Sequence, residues 1–536
     1  MIYRKIPSNW LRYLLIMSWS ALILVSWLSF TDSAQASFRI TSRFYPLPPF
    51  YRPHGYWEPT VSYQKGVFLV YHAYHYWKEP DTFRVKKQVF GARVSPQGRV
   101  LDTLPIPISL WTNGWDLSAN NASWLGPPSD STCFLAIWES LLSPSSDTSR
   151  LMGVRFGLNG VLIDSLGLPL LNYHGKQGNY CSVSGDSLFL LIWLDYRKGN
   201  YLTYGARIRP DRTALDPDGF RLEPRDSVVN GETALSYNGQ VFLAVWDWSP
   251  LGSNDVYLSA TRVREDGVVL DTVPIRLTRS PASRSATARV PQAASDGRDF
   301  FVAFLYEDSV QACSYAAGVR VTGSGVVMDS VPIRISRACG LPSELGLAYN
   351  GCDYQVLFTP TGERICGARV SPQGFVKDTV QNPLFPAAPQ FQITPNAALG
   401  PDGKLLVAWT NNGLPNQYIW GAFLDTTGRE VGVEVLQDPP VGQYPEVCLV
   451  PLHPNPMRNQ GEITFSLPGP GRAQVTVYDA LGRKVRMLLD EEVKAGSHRL
   501  LWDASDSQGR LLPSGVYFLR LESEGVNLTR KVVVLR

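Results

Sequence analysis

GARVSPQGRVLD, from Gly91 to Asp102, returns nearly letter for letter as GARVSPQGFVKD from Gly367 to Asp378. Weaker copies begin at Gly153 (GVRFGLNGVLID), Gly205 (GARIRPDRTALD), Ala260 (ATRVREDGVVLD), Gly318 (GVRVTGSGVVMD) and Gly421 (GAFLDTTGREVG), which makes seven. Their third residues, Arg93, Arg155, Arg207, Arg262, Arg320, Arg369 and Phe423, lie 49 to 62 positions apart. A period of that size calls for an array of supersecondary units rather than a catalytic motif written twice.

Each copy reads as a hairpin. Asp266-Gly267 and Asn159-Gly160 sit at the centres of their copies, and such dipeptides favour a two-residue type I′ turn. That turn would place Arg93 directly across from Asp102, and the same interval gives Arg155/Asp164, Arg207/Asp216, Arg262/Asp271, Arg320/Asp329 and Arg369/Asp378. In the seventh copy Phe423 and Gly432 stand instead, so both charges vanish together, as mutual ion pairs would. The reading is a structural cross-strand pair that fixes register, contributing about 0.2–1 kcal/mol each.

Upstream of each copy lies a short apolar run: VFLVYH, CFLAIW, LFLLIW, VFLAVW, FFVAFL, YQVLF and LLVAW. These runs are too short for helices and read as strands buried on both faces. Extended segments such as DTLPIPIS, DTVPIRLT and DSVPIRIS follow the hairpins. Four strands repeated seven times predict an all-β chain built on a seven-bladed β-propeller, since tandem sandwiches need roughly 100 residues per unit. Trp138, Trp193, Trp246 and Trp409 recur at one strand position, with His72 and Phe358 in units one and six, and read as packing between blades. FRIT, from Phe38 to Thr41, resembles IRLT at 275–278 and is expected to pair with the last unit as a latch, although EVGVEVLQ offers that unit a closing segment of its own.

Composition agrees: among 536 residues, 45 Gly, 40 Pro and 11 % aromatics suit a turn-rich β protein, and a net charge of +3 argues against a nucleic-acid partner. At the N-terminus Arg4, Lys5 and Arg12 precede LLIMSWSALILVSWLSF, and Ala34-Gln35-Ala36 supplies small residues. The expectation is a signal peptide, 1–36, cut after Ala36, leaving no membrane span in the mature chain; an uncleaved anchor is the alternative. Seven cysteines in an exported chain imply one or two disulfides beside free thiols, and no zinc spacing is present. No cofactor and no metal are expected; His72 and His75, three apart on a strand, face opposite ways.

Function is sought where the units differ, in the segments after each apolar run. There Trp77, Asp195, Tyr196, Asp247 and Trp248 are candidate ligand residues, aromatics beside acids suited to sugar or peptide. Glu139, Asp195, Asp247 and Glu307 are candidate carboxylates for a hydrolase, which would need two at a set separation. No nucleophile elbow, HExxH, P-loop or dinucleotide fingerprint occurs, so no catalytic residue is assigned.

Beyond the propeller, 37–437, a proline-rich linker, 438–450, leads into 451–536, whose alternating EITFSL, AQVTVYD and GVYFLRLES predict a small β-sandwich. PNP at 454–456, VYDALGRKV at 477–485, the WD at 502, the DSQG turn, SGVYFLRL and the terminal RKVVVL resemble the C-terminal sorting domains of type IX secretion cargo, and equally the immunoglobulin-like domain related to the flagellar hook-capping protein. LIWLDYRKGNYLTYGARI with TALD resembles the VWxDxR, YGARV, GxVLD repeat of bacterial exported propellers. These resemblances imply export, a partner in the export machinery, and a secreted or surface protein that binds a macromolecular or glycan partner through one face. A carbohydrate-active hydrolase or lyase and an envelope or adhesion scaffold are the alternatives.

Overall fold

The computed structural model describes residues 37–40 and 51–536, apart from stretches of which the longest are 124–132, 279–285, 337–343 and 432–446. The leader read over 1–36 and its cut after Ala36 lie outside the described residues. The described chain is all-β, as expected; its one helical element is the 3-10 turn Pro401–Gly403. Two compact units form, Met1–Val435 and Leu436–Arg536.

The first unit contains seven antiparallel sheets among the described residues, following one another along the chain. The third runs Gln177–Ser184, Phe189–Asp195, Leu202–Ile208, Phe220–Arg221, each strand pairing with the next. The fourth repeats the order as Val228–Tyr237, Val241–Pro250, Tyr257–Arg264, Ile275–Arg276. The second strand of each is an apolar run, and Phe189–Asp195 is buried at every residue, because both faces are covered by neighbouring sheets.

One packing rule joins these sheets. Leu243 and Val245 of the fourth sheet pack against Phe300, Val302 and Phe304 of the fifth. Phe301, Ala303 and Leu305 on the other face of the fifth pack against Tyr354, Val356 and Phe358 of the sixth. The period of two along each strand assigns alternate residues to alternate neighbours. Leu406 and Ala408 of the seventh sheet meet Phe68 and Val70 of the first by the same rule, and Asn396 Oδ1 accepts the backbone N–H of Val61 at 3.0 Å.

The hairpins differ from the expected turn. Gly98 N–H donates to Ser95 O and Ser95 N–H to Arg99 O, the bridge is Val94 to Val100, and only the third loop residue, Gly98, has positive φ (85°). This is a three-residue loop, a type I turn closed by a glycine bulge. Asp266 and Asn159 keep negative φ, so the two-residue turn is corrected to this one in their copies as well. Arg93 therefore faces Leu101, whose N–H bonds its carbonyl, and Asp102 stands one residue beyond. The aspartate still reaches back, because its side-chain oxygen takes the Arg93 N–H at 2.7 Å in place of a ladder carbonyl.

The first letter of the repeated phrase is a matter of space. A Cβ on Gly91 would lie 2.9 Å from Ile108 Cδ1, just past the short fourth strand Ile106–Pro107, and one on Gly421 would lie 2.8 Å from Ile40 Cδ1. Ile40 thus does in the seventh sheet what Ile108 does in the first. Ser37–Arg39 pairs antiparallel with Tyr418–Leu424, so the N-terminal segment supplies an outer strand to the seventh sheet. Arg39 lies over Tyr418 at 4.8 Å as Arg334 lies over Tyr315 at 4.4 Å in the fifth. The segment EVGVEVLQ contributes Glu430–Val431, which pairs with the same strand; its remainder lies outside the described residues.

The second unit pairs a three-stranded sheet (Cys448–Leu449, Gly461–Leu467, Gly496–Trp502) with a four-stranded one (Lys484–Val493, Gly471–Asp479, Gly515–Ser523, Val526–Val534). Ile463, Phe465, Val475, Val477, Trp502 and Leu519 form the core between them.

Candidate functional site

Six arginine–aspartate pairs are present, Arg93–Asp102, Arg155–Asp164, Arg207–Asp216, Arg262–Asp271, Arg320–Asp329 and Arg369–Asp378, at 2.6 to 2.9 Å. Three of the guanidiniums also hydrogen-bond the adjoining hairpin. Arg93 Nη1 donates to Leu158 O, Arg262 Nη1 to Gly323 O and Arg320 Nη1 to Gln373 O, all on the next sheet. A Cβ on Gly160, Gly267, Gly325 or Gly374 would come within 2.7–2.9 Å of the arginine of the preceding sheet. At the third sheet that glycine is replaced by Arg212, at φ 75°, whose Nε lies 3.1 Å from Asp164. For Asp164, burial pushes the carboxyl up, and the side-chain and backbone N–H groups of Arg155 more than offset it, leaving it below the usual range. At Asp102 burial wins and the carboxyl rises. Arg93, Arg262 and Arg320 thus link neighbouring sheets.

The candidate ligand residues part company. Tyr196 is 40 % exposed, with Lys176 Nζ 5.6 Å from its ring centre and Tyr201 edge-on at 5.0 Å. Asp195 is fully buried: it accepts the Trp193 indole N–H at 3.0 Å and three bonds from Arg197. Trp248 is 8 % exposed, under Arg225 at 3.8 Å and beside Tyr257 at 5.0 Å. Trp77 lies in Val67–Lys78, but its side chain is outside the described residues. Asp195 and Trp248 are thus internal, not rim, residues; a WxDxR string folds the carboxylate back between its own Trp and Arg. The same arrangement joins Trp246 to Glu223 and Arg225, a carboxylate that sequence reasoning missed because it precedes its tryptophan by 23 residues.

Asp247 is also buried, at 6 % exposure, where other sheets carry Ala73, Leu194 or Leu305. A bulge at Gly231-Glu232 wraps it: Glu232 N–H donates to its Oδ1 at 3.0 Å, and a Cβ on Gly231 would lie 2.1 Å from that oxygen. Burial, and then the Glu232 carboxylate, push Asp247 up to about 7, while Arg289 pulls the other way. Burial raises Glu232 too. Arg289 Nη2 holds Glu307 at 2.6 Å, and Thr287 Oγ1 donates to the same carboxylate. Two carboxyls that share proton affinity beside an arginine can bind a polar ligand or move a proton. Val290 at φ 55° strains the neighbouring bulge of the fifth sheet. Glu139, the remaining hydrolase candidate, is buried at 6 % exposure in the second sheet.

Among the described residues no group of three or more His, Cys, Asp or Glu is placed to hold a metal ion. His72 is fully buried, and burial lowers it to about 3. Cys313 is disulfide-bonded, while Cys133, Cys181, Cys352 and Cys366 are free. No helix among the described residues is long and apolar enough to cross a membrane.

Among solved structures, the polysaccharide lyase Uly1 is similar at 8 % identity over 74 % of this chain and 98 % of that one, with a TM-score of 0.40. A Trypanosoma rangeli sialidase mutant with trans-sialidase activity matches at 10 % identity over 90 % and 86 %, TM-score 0.38. Prolyl oligopeptidase B from Galerina marginata matches at 12 % identity and TM-score 0.36, over 66 % of this chain and only 46 % of its own length. None of these likenesses specifies an activity. No curated protein matches the chain. Residues 451–535 match the secretion system C-terminal sorting domain, which marks this protein for export to the extracellular space or the cell surface.

Proposed function

We propose that the first unit is a seven-bladed propeller, displayed outside the cell, that binds a macromolecular or glycan partner through the face on which the second strands end. The ring is supported by the packing rule, which runs from sheet to sheet and continues unchanged from the seventh to the first. The observation that carries the choice of face is where departures from the repeat collect. One end of the sheets is the same three-residue hairpin in successive copies, tied by arginine. The other carries Tyr196 on a loop fastened by Asn200, the buried Asp247 with its Gly231-Glu232 bulge, and the Arg289–Glu307 pair. Repeated residues hold a frame, and ligands select what varies. The export module and its machinery are the second partner implied. Arrays of glycans and peptides probed with the purified chain test this. Binding that is weakened by Tyr196→Ala but unchanged by Arg264→Ala, at a hairpin tip, is expected; the reverse pattern would assign the opposite face.

A second reading, hydrolysis or elimination on a sugar, is favoured by one observation: Asp247, held near neutrality beside Glu232, has the proton affinity of a general acid. Turnover of any array-positive glycan that disappears in Asp247→Asn without loss of binding would establish it; binding with no turnover assigns the chain to recognition alone.

A further inference from the structure

We propose that the junction of the third and fourth sheets, on that same face, is a subsite for an acidic polysaccharide, one bearing carboxylate or sulfate groups. The proposal rests on the reading of the face given above. Four aromatic rings are strung along the junction. Tyr196 meets Tyr201 edge-on at 5.0 Å; Tyr201 O accepts the Asn230 N–H at 2.9 Å; Asn230 pairs with Trp248, and Trp248 tilts against Tyr257 at 5.0 Å. Rings in series suit a chain of sugar rings better than a single small molecule: Tyr196, 40 % exposed, offers a flat apolar surface to a pyranose face, and the buried Trp248 backs the row from within.

Cations line the same string. Lys176 lies over Tyr196 at 5.6 Å, Arg225 over Trp248 at 3.8 Å, and Arg276 over Tyr257 at 4.6 Å. Arg225 is neutralised by Glu223 at 2.7 Å, whereas Arg276 and Lys198 have no carboxylate partner among the described residues. The acids nearby are committed: Asp226 to Arg221, and Asp255 as acceptor of the Tyr257 hydroxyl at 3.4 Å.

The independent sign is the Trp248 indole. Trp193 and Trp246 satisfy theirs on Asp195 and Glu223, but the Trp248 Nε1–H, like that of Trp409, is buried with no acceptor among the described residues. An orphaned buried donor costs about 1–3 kcal/mol, so it calls for an oxygen from outside the chain. An anionic oxygen there meets a donor and unpaired positive charge at once, which a neutral glycan does not use.

Affinity of the full purified chain is measured for polygalacturonate, dextran sulfate, neutral dextran and oligo-dT, at low and physiological salt. Either acidic polysaccharide is expected to bind and to weaken with salt; the two arms tell carboxylate from sulfate. Tyr196→Ala and Lys198→Ala, both surface changes, should each weaken binding by about tenfold or less. Trp248→Phe keeps a ring and removes only the N–H; it should weaken binding while unfolding, followed by circular dichroism, stays near wild type. Acidic binding unchanged in Tyr196→Ala and Lys198→Ala overturns the subsite. Equal retention of neutral dextran, or tighter binding of oligo-dT, overturns the ligand class but leaves the face reading standing. Binding of no polysaccharide, together with a blank glycan and peptide array, defeats both.

Discussion

At the scale of single residues, the repeated arginine and the buried aspartate show the two uses this chain makes of charge. Arg262 is shared between Asp271 and the carbonyl of Gly323 on the next sheet, so it is both register lock and inter-sheet tie. Phe423 replaces it where the seventh sheet meets the first, and packs edge-on against Phe68 at 5.6 Å instead. Asp247 is different, since the backbone N–H groups of Glu232 and Gly231 and the charge of Arg289 do not outweigh its burial beside Glu232. Its folded-state pKa, about 7, stands above the ordinary carboxylate value of 3.8. Below about pH 4 both folded and unfolded chains carry the proton, and Asp247 costs nothing. Between there and pH 7 the unfolded chain releases it first, so stability falls as pH rises, and the full penalty stands above pH 7. Asp247→Asn keeps an acceptor for the Glu232 N–H and removes the charge. The variant is expected to melt several degrees above wild type at pH 8 and at nearly the same temperature at pH 4. A thermal shift that is equal at both values would show that Asp247 is not held protonated. None of this was legible in DWS at 247–249, because burial is decided by the bulge at Gly231 and Glu232, fifteen residues upstream.

At the scale of elements, period and identity of the units could be read from the chain, and turn geometry could not. A glycine at the hairpin centre declares one positive φ but does not say whether its neighbour shares it; Asp266 and Asn159 do not. The outer strand was readable because FRIT copies IRLT, down to the arginine over a tyrosine ring. That strand is short, three residues, yet it carries Ile40, at 3 % exposure, into the seam with Phe90 and Phe423. Burying an isoleucine contributes about 1.5–3 kcal/mol, and a charge in its place adds the cost of desolvation. Ile40→Asp is expected to lower the melting temperature and to speed proteolysis within Tyr418–Leu424, whose edge would lose its cover. Cleavage confined to other sheets, with unchanged melting, would show that the seventh sheet does not depend on the N-terminal strand.

At the scale of the molecule, two units with separate cores divide the labour. Ile463, Phe465, Trp502 and Leu519 close one core within the second unit, and among the described residues the first unit's clusters contain none beyond Val431. Cores that share no residues unfold as separate cooperative blocks unless their interface is large. The sorting match, 451–535, falls wholly within the second unit. Removing 451–536 is therefore expected to leave the first unit folded, with its own melting transition intact, and to abolish delivery outside the cell. Fractionation of cells expressing full-length and truncated chains, with protease applied to intact cells, separates the outcomes. Truncated protein that is folded but protected from added protease is the expected result. Truncated protein in the medium or on the surface would mean that export is directed from elsewhere, and truncated protein that is unfolded would mean that the first unit leans on the second for stability.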